Sequence, residues 1–162
     1  GIAKAMGATK ILVVHGSETH GRIAKKMGAD VLINRHEGDP VIRIQEETEG
    51  IGADVILEMS GAEQALQQAL KAVRLTGQVT ILGLPTKPCT LDVAKDIVLK
   101  DATVRGIYGR KMWETWLTTS RLIHSGRIDI TPVITHRLQL SDFEKGIEAM
   151  KSGSSGKVVF FP

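Results

Sequence analysis

Five short apolar runs alternate with longer amphipathic segments over the first two thirds of the chain. The runs are continuous rather than alternating, which is typical of parallel strands covered on both faces. They occupy residues 10–14, 30–33, 53–57, 78–82 and 103–106, and helix patterns lie over 19–27, 40–48 and 62–75. Alternation of this kind predicts an α/β fold with a doubly wound parallel sheet.

The pattern changes after Gly109. A helix is predicted over 113–125, a short strand over 133–138 and a final strand over 157–161. Ser141 and Glu144 have the spacing of a capping box, with serine at the N-cap and glutamate three residues later, and the helix that follows should run to about Lys151. These changes predict a domain boundary near Gly109, with one domain over 1–109 and a second over 110–162.

Charge and cysteine content narrow the class of protein. The formal net charge is +3, but basic and acidic residues are interspersed, so no patch for nucleic acid or a membrane surface is predicted. Cys89 is the only cysteine, which rules out an internal disulfide and agrees with a reducing cytoplasm. No apolar run approaches the roughly 20 residues of a membrane span. The opening residues resemble the middle of a helix without a signal-peptide pattern, so a fragment or processed chain is expected.

The segment from Gly106 to Trp116 concentrates the aromatic residues. It holds the only tyrosine, Tyr108, and both tryptophans, Trp113 and Trp116. Glycines allow close approach of the backbone to a ligand, and aromatic side chains supply rigid contact area beside it. The other interpretation is a strand-to-helix turn followed by two core tryptophans.

Several phrases match one family in order along the chain. They are Gly52–Val55, Leu57–Ala62, Gly77 through Leu82–Pro85, Gly106–Arg110, Trp113–Trp116, Ile134–Arg137, Asp142–Phe143 and Ser155–Val159. The chain resembles the C-terminal half of the medium-chain, zinc-dependent alcohol dehydrogenases. Within that superfamily, the Gly-Ile-Tyr-Gly-Arg and Trp-Glu-Thr-Trp phrases are most similar to the L-threonine 3-dehydrogenases.

The resemblance implies an oxidoreductase in which zinc polarises an alcohol and hydride passes to NAD. The implied reaction is oxidation of the 3-hydroxyl of L-threonine in threonine catabolism, by a cytoplasmic homotetramer. By the same analogy, 1–109 is a Rossmann dinucleotide domain without its first strand, and 110–162 returns to the catalytic domain. A polyol or other secondary-alcohol dehydrogenase, and a non-catalytic nucleotide-binding module, stay open as alternatives.

Two parts of such an enzyme are missing from the chain. The family's zinc ligands lie in the other half, and the five histidines are scattered without metal-ligand spacing; His136 is interpreted as structural. The glycine-rich phosphate loop should follow the first strand, but Gly1 to Met6 is already past that point. We therefore expect no metal site, no catalytic residue and no activity in these 162 residues alone. The missing first strand should also leave neighbouring strands with unpaired backbone groups.

The resemblance also implies the residues that bind the cofactor. Leu82, Gly83 and Leu84 should lie beside the nicotinamide ribose, Ile107 and Tyr108 beside the nicotinamide, and Ser60 and Gly61 on the adenosine side. Glu58 is interpreted as a structural hydrogen-bond acceptor. A further set falls at the adenosine ribose: His15 takes the position of the family's ribose-binding acid, and His20 that of a nearby arginine.

The choice between NAD and NADP follows from that exchange of an acid for a histidine. Without the acid, repulsion of a 2′-phosphate is lost, while Gly16 and Ser17 offer room and Arg22 is a possible anion partner. Glu18, reaching the ribose from a shifted loop, would preserve NAD binding. NAD is the expectation on family grounds, and NADP stays open.

Overall fold

The computed structural model describes residues 1–162, which form two compact units. The terminal unit comprises Gly1–Gly38 and Lys111–Pro162, and the central unit comprises Asp39–Arg110. In chain order the regular elements are α1 (Ile2–Ala5), β1 (Leu12–His15), α2 (Glu18–Lys26), β2 (Val31–Asn34), α3 (Pro40–Glu47), β3 (Ala53–Glu58), α4 (Glu63–Ala72), β4 (Val73–Ile81), β5 (Thr103–Gly106), α5 (Glu114–His124), β6 (Ile134–Gln139), α6 (Phe143–Lys151) and β7 (Lys157–Phe161).

The division between Arg110 and Lys111 lies close to the expected boundary, and 1–38 groups with the C-terminal segment. The assignment of 1–109 to a cofactor domain stays a prediction. None of the helices combines the length and the apolar character needed to cross a membrane.

The terminal unit contains two parallel strand pairs. β1 pairs with β2 from Leu12 opposite Val31 to His15 opposite Asn34. β6 pairs with β7, and α6 connects them. The central unit holds one parallel sheet in the order β3-β4-β5. All five predicted strands of the first part are therefore present, with parallel pairing inside each sheet, and the predicted α/β class is confirmed.

The core of the central unit lies between α4 and one face of this sheet. Leu66, Leu70 and Val79 are buried there, and Ile56 and Ile81 pack against them. The apolar positions of α4 recur at helical spacing, so a single face of the helix supplies this layer.

The predicted two-sided burial of the strands is wrong for β3. Val55 is 57% exposed and Leu57 is 53% exposed. Alternate side chains of a strand point to opposite faces, and Ile56 between them packs toward α4. Within the central unit, α4 covers one face only, so the alternate residues are left open.

The helix predicted over 62–75 ends earlier, at Ala72. Val73 is opposite Ala53, but Gln78 is the residue opposite Val55, so three extra residues of β4 form a bulge. Thr76 in this bulge has φ +57°, a left-handed conformation that cannot continue a helix. Regular pairing begins at Gln78, where the sequence predicted the strand.

The end of α4 is capped by a lysine from a distant part of the chain. Lys100 Nζ donates to the carbonyl oxygens of Leu70 (2.8 Å), Lys71 (2.7 Å) and Val73 (2.9 Å). The last carbonyls of a helix have no partner within the helix, and a cation near them interacts favourably with the helix dipole. Burial lowers the pKa of Lys100, and the nearby Asp96 opposes that shift.

The predicted capping box at Ser141 is also wrong. Residues Leu140–Asp142 form a 3₁₀ turn, and α6 begins at Phe143 with Asp142 as its N-cap. The Asp142 side chain makes no capping bond and instead accepts from Lys145 Nζ at 2.9 Å. The extra turn moves the start of the helix two residues beyond the serine.

Asp30 provides a pH-dependent contact between the segments that precede β1 and β2. Its Oδ2 accepts from Ile11 N at 2.8 Å, and its Oδ1 accepts from Lys4 Nζ at 3.2 Å. The backbone hydrogen bond from Ile11, followed by the bond from Lys4, lowers the pKa of Asp30 below its ordinary 3.8. The contribution of Asp30 is therefore present above the unfolded-state pKa and is lost as the pH falls through the folded-state pKa.

We expect Asp30→Asn to remove part of the acid dependence of stability. Urea unfolding measured at a series of pH values should show a shallower loss of stability below about pH 4 in the variant than in the parent chain. Asp92→Asn serves as a control for loss of an exposed aspartate. If Asp30→Asn lost stability at low pH as steeply as the parent chain, the proposed contribution of Asp30 would be wrong.

Candidate functional site

Seven of the predicted site residues gather at one edge of the central unit. Ser60 and Gly61 follow β3, the Leu82–Leu84 segment follows β4, and Ile107 and Tyr108 follow β5. The three strands are parallel neighbours, so their carboxyl ends meet at the same edge. In open α/β sheets, this edge is where ligands bind.

Two glycines make the closest contact at this carboxyl edge. A Cβ atom built on Gly83 would lie 2.1 Å from the Gly61 nitrogen and 2.7 Å from Glu58 Oε2. A Cβ atom on Gly61, whose φ is +72°, would lie 2.6 Å from the carbonyl oxygen of Leu84. The loops after β3 and β4 therefore touch through their backbones, and neither glycine tolerates a side chain without movement.

Glu58 connects the same two loops through hydrogen bonds. Its Oε1 accepts from Ser60 N (2.8 Å), Ser60 Oγ (2.5 Å) and Gly61 N (3.1 Å). Its backbone carbonyl accepts from Leu82 N (2.8 Å) and Gly83 N (3.2 Å). The residue is 5% exposed, and its carboxylate is occupied by these donors. The geometry agrees with the predicted role of Glu58 as a structural acceptor.

Apolar side chains are open at the same edge. Leu84 is 71% exposed and Tyr108 is 90% exposed, and Leu82 and Ile107 are each at least 40% exposed. Ile107 N donates to the carbonyl of Ile81 at 2.8 Å, which fixes the start of the segment after β5. Open apolar side chains beside glycine backbone provide a surface that suits the flat rings of a nucleotide.

The other two predicted site residues, His15 and His20, lie in the terminal unit. His15 ends β1, and its Nδ1 donates to the carbonyl of Ser17 at 3.0 Å. His20 lies in the first turn of α2, with its Nε2 3.3 Å from the carbonyl oxygen of Ser155. Ser17 is the N-cap of α2 and accepts from His20 N at 3.3 Å. The loop after β1 is thus held by hydrogen bonds of His15 and Ser17 within the loop, and by the contact of His20 with Ser155.

Arg35 is a residue of this loop region that the sequence interpretation missed. Its backbone nitrogen donates to the carbonyl of His15 at 3.0 Å. Its guanidinium covers Gly16, since a Cβ atom there would lie 2.6 Å from Arg35 Nε. The signal available in the sequence was its position directly after β2, because the carboxyl ends of neighbouring parallel strands meet.

Arg22, the anion partner considered from sequence, lies on another surface. Its Nη2 is 3.5 Å from Thr19 Oγ1. Together with Lys26, Thr131 and His136, it lines a cleft of about 510 Å³ that includes neither Gly16 nor Arg35. Arg22 and Arg35 are therefore separate sites of positive charge.

No group of three or more His, Cys, Asp or Glu side chains is arranged to hold a metal ion. His136 Nδ1 is 2.9 Å from Thr135 Oγ1, and that hydroxyl also accepts from Gly156 N at 2.9 Å. The tryptophans of the aromatic segment are not core residues: Trp113 is 64% exposed and Trp116 is 51% exposed, with edge-to-face rings 6.1 Å apart.

Comparison with known sequences identifies a family of dehydrogenases. The family described as zinc-binding dehydrogenase matches residues 1–125. L-threonine 3-dehydrogenase from Thermococcus kodakarensis is 47% identical over 162 residues, which is 99% of this chain and 46% of that protein. The enzyme of the same name from Bacillus subtilis is 43% identical over 161 residues, with the same coverage. The chain thus spans about half the length of these curated relatives.

Solved structures give the same fold. An alcohol dehydrogenase from Thermotoga maritima is 32% identical with a TM-score of 0.87, over 99% of this chain and 45% of that one. The 2R,3R-butanediol dehydrogenase from Bacillus subtilis is 30% identical with a TM-score of 0.86, over 99% and 46%. Since the family match covers more than half of its residues, the chain belongs to the zinc-binding dehydrogenase family.

Proposed function

We propose that this chain supplies the dinucleotide-binding part of a zinc-assisted dehydrogenase that oxidises the 3-hydroxyl of L-threonine to 2-amino-3-oxobutanoate. The observation that carries the proposal is the gathering of Ser60, Gly61, Leu82–Leu84, Ile107 and Tyr108 at one carboxyl edge. The L-threonine 3-dehydrogenases, at 43–47% identity, support the choice of substrate.

A nicotinamide dinucleotide fits the carboxyl edge of the central unit. The contact between Gly61 and Gly83 leaves backbone rather than side chain at the strand ends. The exposed side chains of Leu84 and Tyr108 offer apolar surface to a ring. When bound, the dinucleotide supplies the hydride acceptor.

The chain's own residues position and shield this surface. Glu58 fixes the loop that carries Ser60 and Gly61 by accepting three hydrogen bonds. Its carboxylate is buried and holds this loop, so proton transfer is not assigned to it. Tyr108 and Ile107 are placed to exclude water from a bound ring.

Zinc does not fit the residues of this chain. The described residues provide no group of three His, Cys, Asp or Glu side chains that could hold it. No step is therefore assigned to a metal here, and we expect the 162 residues to form no NADH with L-threonine by themselves.

A second candidate is a polyol or other secondary-alcohol dehydrogenase of the same family. The observation in its favour is the structural likeness to the 2R,3R-butanediol dehydrogenase. A non-catalytic nucleotide-binding module is the third candidate. The missing zinc ligands favour it only if the protein at full native length also lacks zinc ligands.

The test is a substrate profile of the protein at its full native length, with zinc present. L-threonine, 2R,3R-butanediol and sorbitol are supplied with NAD or NADP, and reduction of the dinucleotide is followed by absorbance. The proposal expects the highest kcat/KM with L-threonine. A higher value with a diol supports the second candidate, and binding of dinucleotide without turnover supports the third.

We further propose a cytoplasmic homotetramer that acts in threonine catabolism. β5 pairs only with β4 in the sheet of the central unit, and this edge strand is the proposed contact with another subunit. Sedimentation velocity of the full-length protein tests the assembly, and a monomer would contradict it.

A further inference from the structure

We infer that the loop after β1 selects the 2′-phosphate of NADP, with Arg35 as the residue that determines specificity. The inference rests on the proposed function, because it concerns binding of a nicotinamide dinucleotide. It departs from NAD, the cofactor expected from the resemblance. The observations that carry it lie within residues 15–37 of the terminal unit.

The position at the end of β1 lacks a carboxylate. In NAD-specific sites, an acid at this position accepts a hydrogen bond from the ribose 2′-hydroxyl. Its charge would also oppose a 2′-phosphate, since like charges repel. Here the residue is His15, whose Nδ1 donates to the carbonyl of Ser17 at 3.0 Å. That bond holds the imidazole against the start of α2, where a Cβ atom on Gly21 would lie 2.9 Å from the ring.

Two carboxylates lie nearby in the chain, and neither forms an ion pair with Arg35. Glu37 Oε1 accepts from Asn34 Nδ2 at 2.6 Å, which directs it to the turn after β2. Glu18 is exposed at the first position of α2 and makes no ion pair with Arg35.

A guanidinium lies where the acid is missing. Arg35 Nε, Cζ and Nη2 would lie 2.6, 2.8 and 2.9 Å from a Cβ atom on Gly16, so the planar group covers the glycine. The hydrogen bond from Arg35 N to the His15 carbonyl, at 3.0 Å, fixes the backbone that carries it. Gly16 has no side chain, and that absence makes room for the guanidinium.

Arg35 is available to an anion. Its side chain is exposed and forms no ion pair with a carboxylate; its only close polar neighbour is His36 Nε2, at 3.5 Å from Nε. Two parallel N–H groups of a guanidinium match the spacing of phosphate oxygens, which a lysine ammonium does not reproduce. Ser17 Oγ accepts from His20 N and keeps its own proton to donate to a second phosphate oxygen.

The experiment measures binding to the protein at its full native length by titration calorimetry. The probes are NADP, NAD, adenosine 2′,5′-bisphosphate and 5′-AMP. We expect NADP to bind at least about tenfold more tightly than NAD, and the bisphosphate more tightly than 5′-AMP, because a charge-assisted hydrogen bond contributes at least that ratio.

Arg35→Ala should weaken NADP about 10- to 100-fold while NAD affinity is unchanged. Arg35→Lys should retain only part of the preference for NADP, because lysine keeps the positive charge but lacks the two parallel N–H donors of the guanidinium. Arg22→Ala is the matched control: it removes the same charge from the same unit, in the separate cleft of Thr131 and His136, and should leave the ratio unchanged. His15→Asp restores an acid and should reverse the preference toward NAD.

Tighter binding of NAD than NADP by the parent protein would overturn the inference and leave the proposed function intact. Equal weakening of NAD and NADP binding in Arg35→Ala would also overturn it. Arg35 would then contribute to a part of the molecule that both dinucleotides share, and not to recognition of the 2′-phosphate. Failure of both dinucleotides to bind would instead remove the proposed function, and the inference with it. Arg35 is exposed, so thermal unfolding of the variant should match that of the parent.

Discussion

Gly83→Ala is expected to destabilise the protein by roughly 3 kcal/mol, the upper part of the range for overpacking a close contact. The added Cβ atom would lie 2.1 Å from the Gly61 nitrogen and 2.7 Å from Gly61 Cα. These are backbone atoms, which cannot rotate away as the end of a side chain can. Glu58 Oε2, at 2.7 Å from the same position, would also have to move. The measurement is urea unfolding followed by circular dichroism.

The same change should weaken dinucleotide binding at the carboxyl edge, because the loops after β3 and β4 would separate. Gly106→Ala is the matched control for stability. Gly106 lies at the end of β5, and a Cβ atom there meets nothing within 4 Å. We expect a change within about 0.5 kcal/mol for this variant. Equal unfolding midpoints for Gly83→Ala and the parent chain would contradict the assigned contact.

Lys100→Met is expected to cost about 3 kcal/mol, since it removes charge-assisted hydrogen bonds from partly buried acceptors. Three carbonyl oxygens, those of Leu70, Lys71 and Val73, would lose their lysine donor. Methionine has nearly the same length and apolar stem as lysine, so the loss reports on the ammonium rather than on packing. Urea unfolding of parent and variant gives the difference in free energy.

Lys95→Met is the control for Lys100→Met. Lys95 is exposed in the short π-helix Ala94–Val98, and its side chain makes no ion pair. We expect its replacement to change stability by no more than about 0.5 kcal/mol. If both variants lost the same stability, the cause would be the general reduction in positive charge, and the capping role of Lys100 would be wrong.

The strands were the most predictable part of the fold. Continuous apolar runs gave the positions of β1, β2, β3 and β5 to within about two residues, and the regular part of β4 as well. The bulge at 74–77 was not predictable, because Val73 and Leu75 continue the apolar spacing of α4. The extended backbone of Val73 and the left-handed backbone of Thr76 show that the helix has ended.

The candidate site also has a part that the sequence predicts and a part that it does not. That Ser60, Leu82 and Ile107 share an edge followed from parallel strands, since residues directly after neighbouring strands meet. The contact between Gly61 and Gly83, and the position of Arg35 over Gly16, depend on loop geometry that no local pattern encodes. The capping role of Lys100 was likewise not predictable, because its acceptors are backbone atoms about 30 residues earlier.

The capping lysine of α4 also imposes an order on folding during synthesis. Lys100 follows Leu70 by 30 residues, so the ribosome delivers the whole of α4 and β4 before their shared donor. Until the segment after β4 has emerged, the carbonyls at the end of α4 lack their lysine donor. A stalled nascent chain whose Lys100 is still inside the exit tunnel should therefore be more sensitive to protease around 70–77 than a chain long enough for Lys100 to have left the tunnel. The last turn of α4 becomes secure only when a residue from beyond the next strand has left the exit tunnel.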